Sequence, residues 1–98
     1  MRYQFKNSEL RRLYQERGYR AGYPEAVVKA FRRRVQAIAN AVDERDLRAM
    51  KSHHFEKLKG DRSHQYSLRL NDQFRLLLQI VTESNGKVIW VIDIEDYH

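Results

Sequence analysis

The 98-residue chain carries 19 Lys+Arg against 13 Asp+Glu, a net charge of +6, with 42% hydrophobic residues and no cysteine. That composition allows one modest core and predicts a single domain over residues 1–98. It excludes a disulfide framework, a thiolate metal cage and a cysteine nucleophile. The excess charge lies in residues 1–50, with 12 basic against 6 acidic side chains, while residues 51–98 balance at 7 against 7. A pI near 9.8 favours a polyanionic partner, RNA or DNA first, although an acidic protein fits equally well. Met1 to Lys6 lacks the apolar run of a secretory signal, and no stretch approaches the ~18 apolar residues of a membrane span, so a cytoplasmic protein is expected.

Tyr3 and Phe5 alternate with Arg2, Gln4 and Lys6, which predicts a short half-buried strand before a helix starting at Asn7 or Ser8. Leu10, Leu13 and Tyr14 share one face of that helix, and Gly18 is placed to stop it in a left-handed conformation. After the break at Gly22-Tyr23-Pro24, with Pro24 expected in the first turn, a second helix carries Val27, Phe31, Val35, Ile38 and Val42 as a core-facing stripe. A further short turn over Asp43 to Met50 would anchor through Leu47 and Met50. From residue 54 the period shortens. Tyr66, Leu68 and Leu70 alternate with Ser67 and Arg69; Asn71-Asp72-Gln73 turns the chain into Phe74 to Thr82; Glu83-Ser84-Asn85-Gly86 turns it again into Lys87 to Ile94. The Phe74 strand is apolar on both faces and is expected at the centre of the sheet. The class is α+β: an N-terminal strand, two helices, then an antiparallel meander, with helices on one sheet face.

Lys29 and the run Arg32-Arg33-Arg34 lie on the second helix and read either as a solvated face or as a surface for nucleic-acid phosphates. Lys57-Leu58-Lys59-Gly60-Asp61-Arg62 reads as a surface turn in which Gly60 lets the backbone bend and a lysine project. Arg75, one residue into the most apolar strand, demands a partner. Either it pairs with Asp72, Asp93 or Asp96, or its guanidinium is held for a phosphate. His53 and His54 are adjacent, a poor chelating geometry, and no HExxH or G-x-S-x-G pattern occurs, so neither a metal nor a serine triad is expected. Asp96-Tyr97-His98 follows the last strand and offers a carboxylate, a phenol and an imidazole together.

Leu58-Lys59-Gly60-Asp61-Arg62, Tyr66-Ser67-Leu68-Arg69-Leu70-Asn71-Asp72-Gln73-Phe74-Arg75 and Asp96-Tyr97-His98, in that order, resemble the HigB branch of the RelE-like toxins. The resemblance extends over nearly the whole chain. It implies a RelE-like microbial ribonuclease fold and a type II toxin that cleaves messenger RNA in the ribosomal A site without a cofactor. It also implies a HigA-like helix-turn-helix antitoxin as partner, beside the ribosome and the message. Lys59, Arg75, Asp96, Tyr97 and His98 would form the active site, and Lys29, Arg32, Arg33, Arg34, Lys57 and Arg69 would grip RNA or the ribosome. The chain has Glu56-Lys57 where the family often shows His-Pro, which leaves a second imidazole there unassigned.

In such a reaction the 2′-OH attacks the adjacent phosphorus and expels the 5′-oxygen, leaving a 2′,3′-cyclic phosphate. Lys59 and Arg75 would stabilise the phosphoryl charge, His98 would protonate the leaving oxygen, Asp96 would act as base or orient the imidazole, and Tyr97 would stack on a base. A lysine of depressed pKa competes with the carboxylate as base. Two other readings use the same residues: a ParE-like toxin acting on DNA gyrase without nuclease activity, and a non-catalytic RNA-binding module.

Overall fold

The computed structural model describes residues 1–49, 54–62 and 64–96. Strand β1 (Arg2–Phe5) leads into helix α1 (Ser8–Gln15), helix α2 (Glu25–Asn40) and helix α3 (Glu44–Ala49). The two-residue strand β2 (Glu56–Lys57), a 3-10 turn over Gly60–Arg62 and strands β3 (Gln65–Arg69), β4 (Phe74–Glu83) and β5 (Gly86–Asp96) follow. The sheet order is β1-β5-β4-β3-β2. β4 is therefore the middle strand, as its two apolar faces require. The meander is antiparallel, whereas β1 pairs parallel to β5, with Phe5 opposite Val91.

α1 starts where a polar cap is available: the Asn7 side chain accepts from Leu10 N at 2.9 Å. It ends at Gln15, three residues before Gly18, because Glu16 turns extended (φ −97°, ψ 113°) while its N–H still reaches Arg12 O at 2.7 Å. Gly18 is not in the left-handed region; Ala21 (φ 51°) and Gly22 (φ 83°) make the left-handed turn instead. Pro24 is the N-cap of α2 rather than a first-turn residue. Its extended backbone leaves its carbonyl to accept from Val27 N and Val28 N.

The α2 stripe Val27, Phe31, Val35 and Ile38 is fully buried, and Leu47 of α3 joins it. Val42 departs from the expectation at 84% exposure. The helix stops at Asn40 and Ala41 is extended, so the 3.6-residue period no longer governs where position 42 points. Met50, the other expected anchor, lies outside the described residues.

These helical side chains pack on Phe5, Leu68, Leu76, Leu78, Ile89, Val91 and Ile94, which makes one layer of helices on one face of the sheet. In β5 the inward residues switch from odd to even between Val91 and Ile94. The cause is a bulge at Ile92: Leu77 faces Asp93 while Leu78 faces Val91. Everything after Ile92 is thereby re-aimed.

Candidate functional site

Alternation along β4 sends Phe74, Leu76, Leu78 and Ile80 towards the helices and Arg75, Leu77 and Gln79 to the helix-free face. Cross-strand register puts Arg69, Arg75 and Glu95 on one rung of that face. Arg75 is half-buried there. Glu95 accepts a two-pronged ion pair from Arg62, at 2.7 and 3.3 Å. Arg62 ends the 3-10 turn that follows Lys59, so this bridge fastens the lysine loop to the strand position opposite Arg75. Lys59 itself is exposed and makes no ion pair among the described residues. Gly60 bends the backbone as expected, and does so in the left-handed region at φ +72°.

Asp96 stands opposite Phe74, so alternation turns it to the other side of the sheet from Arg75. Gln73 Nε2 donates to its Oδ2 at 3.2 Å. Of the acids suggested for Arg75 from sequence, Asp72 is in an ion pair with Arg69. The carboxylate that faces Arg75 across the rung is Glu95, which the sequence reading missed. Alternation back from Ile94 would have found it. Tyr97 and His98 lie outside the described residues, as does His53.

The basic helix divides into two kinds of residue. Arg32 donates to the carbonyls of Leu13, Glu16, Arg17 and Tyr19 (2.8 to 3.4 Å) and so closes the C-terminal end of α1. Arg34 Nε donates to Arg69 O at 2.9 Å, and its burial, with Arg33 beside it, lowers its pKa. Lys29 is exposed and pairs with Glu25 at 3.5 Å. Arg33 is exposed with no hydrogen bond or ion pair among the described residues. All four stand on the helical layer, away from the face that bears Arg75. Lys57 is exposed on β2.

The family profile described as "RelE-like toxin of type II toxin-antitoxin system HigB" matches residues 3–98. The chain belongs to the HigB-like toxin family. It is 31% identical over 81 residues to Toxin HigB-1 of Vibrio cholerae serotype O1 (strain ATCC 39315 / El Tor Inaba N16961), covering 83% of this chain and 85% of that protein. Its fold resembles that of the YoeB/ParE toxin from Agrobacterium tumefaciens, with a TM-score of 0.60, 14% identity and full coverage of both chains. Membership of a type II toxin-antitoxin family implies an antitoxin as partner of this HigB-like chain. Among its described residues no helix is long and apolar enough to cross a membrane.

Proposed function

We propose that this HigB-like toxin is a cytoplasmic, single-domain endoribonuclease that cuts messenger RNA in the ribosomal A site and so arrests translation. The observation that carries the reading is the Arg62–Glu95 bridge, which ties the Lys59 loop to the rung of Arg75 on a sheet face that no helix covers among the described residues. An arginine on this face and a lysine in the loop fastened to it suit a phosphoryl group whose charge grows as the 2′-OH attacks; each such donor is worth ~3 kcal/mol in comparable sites. Arg75 acts as an electrostatic donor and not as a base, because a guanidinium keeps its proton. Asp96, Tyr97 and His98 supply the base or orienting group, the stacking ring and the acid, with Asp96 acting from the sheet end where Gln73 holds it. Ribosome dependence follows from the chemistry: with few titrating groups, much of the rate must come from a message already held in the reactive bend.

Lys29 and Arg33, exposed on α2, are the cations of the basic run open to ribosomal RNA, with Lys57 and Arg69 nearer the sheet. Arg32 and Arg34 support that surface by holding α1 and β3. A HigA-like helix-turn-helix antitoxin silences the protein.

The test incubates the purified chain with translating ribosomes and maps message ends. Codon-linked cuts ending in a 2′,3′-cyclic phosphate are expected. Arg75→Ala should slow them by about a hundredfold or more, and His98→Gln should relieve growth arrest with the fold intact. DNA breaks with intact messages would replace this reading by the gyrase one. Salt-sensitive RNA binding without any cut would leave only a binding module.

A further inference from the structure

One transverse rung of the helix-free face runs Gln65, Gln79, Trp90, Gln4 across β3, β4, β5 and β1. Over it opens a pocket of about 340 Å3 lined by Lys6, His64, Gln65, Gln79, Trp90 and Ile92. Trp90 is the chain's one tryptophan, and it is half-buried in this wall. Gln65 Oε1 is buried with no hydrogen-bond partner among the described residues. A buried acceptor in that state wants a donor brought by a ligand. The pocket lies four residues along β4 from Arg75, roughly 13 Å, on the same face.

We propose that this pocket receives one unpaired nucleobase of the bound RNA, a nucleotide or two away from the phosphate held at Arg75. The proposal rests on the nuclease reading for its neighbour but stands on its own geometry. An indole beside two carboxamides matches a base, which presents a π-face for stacking and an edge of alternating donors and acceptors. The volume is at the small end of ligand pockets and suits one ring system. Lys6 on the rim adds the charge that a flanking phosphate requires. A peptide strand is a poor occupant, because strand addition needs a sheet edge and the floor here is the inner strands β4 and β5. In this arrangement Trp90 supplies affinity, and Gln65 and Gln79 discriminate between bases.

The lone tryptophan makes the test direct. Short 2′-O-methyl oligoribonucleotides, which have no attacking hydroxyl, and nucleoside monophosphates are titrated into the full chain while tryptophan emission is followed. Saturable quenching that differs among the bases is expected, with ribose 5-phosphate giving none. Gln79→Ala should weaken binding or flatten the base preference about tenfold. By calorimetry Trp90→Ala should lose about tenfold in affinity and Trp90→Phe should recover most of it, with circular dichroism verifying each fold. Absence of quenching by every oligonucleotide overturns the proposal, as does an equal response to ribose 5-phosphate or a response to the antitoxin alone. Mapped cuts on ribosomes score the nuclease reading separately. Cuts whose codon preference survives Gln79→Ala, without quenching, sink the pocket alone, and quenching without cuts sustains the pocket while the nuclease reading falls.

Discussion

Arg32 shows how a charged side chain can be structural while its neighbour in sequence is available to a partner. Its guanidinium satisfies carbonyls that α1 leaves open as it ends, and Arg12, stacked 4.0 Å from the Tyr19 ring, completes that corner. Arg32→Ala should therefore cost about 2 kcal/mol of stability in urea unfolding, while Arg33→Ala should stay within about 0.5 kcal/mol. Asp43 gives the pH-sensitive counterpart. Hydrogen bonds from the Arg45 side chain and backbone hold its carboxyl below the ordinary value of 3.8. A group depressed by folding contributes in full above its unfolded value, and the contribution is lost as pH falls through the lower folded value. Acidification below the usual carboxylate range should thus loosen the start of α3. Amide exchange at Asp46 and Leu47 followed against pH checks this, and Asp43→Asn should remove the dependence.

Among the elements, β5 decides the chemistry because its bulge sets which side chains meet the helix-free face beyond Val91. Were Ile92 paired in the ladder instead of bulged, Glu95 and Asp96 would exchange faces. Deleting Ile92 should remove the bulge and leave Glu95 opposite Arg75, so the Arg62–Glu95 bridge should survive. The pairs Ile80–Ile89 and Val81–Val88 on one side of the bulge and Leu76–Ile94 and Arg75–Glu95 on the other keep their register in that variant, so amide protection should persist in both halves of the hairpin. Loss of protection from Asp93 onward would show instead that the deletion shifts the strand end out of register. The hairpin's loop is Ser84-Asn85, and Gly86 takes φ +117°, so the Asn-Gly signal marks the turn correctly.

For the whole molecule, the layered fold distributes the +6 charge over two surfaces that the sequence presents as one. Lys29 and Arg33 belong to the helical layer; Lys6, Lys59, Arg62 and Arg75 belong to the sheet face or its loop. Association with ribosomes should weaken steeply between 50 and 200 mM salt, by about tenfold or more. Arg33→Gln and Lys59→Gln should each reduce the slope of that dependence by about one. Arg32→Gln should leave the slope unchanged, since its charge already faces backbone carbonyls. Filter binding over a salt series distinguishes these outcomes.

Composition, the α2 stripe and the shift to period-two alternation after residue 54 determined the α+β class, the buried face of α2 up to Ile38 and the central place of β4, because those signals are local and repeat along the chain. The ordered motifs likewise sufficed for the family. What needed the tertiary structure was every feature made by residues distant in sequence: the parallel seat of β1, the two-residue β2, the diversion of Arg32 and Arg34 to carbonyls, the pairing of Arg62 with Glu95, and the His64 and Trp90 pocket. A bulge shifts parity without altering composition, and a guanidinium's partner is chosen by which backbone ends come within reach. Neither leaves a periodic trace, so only the folded chain could decide them.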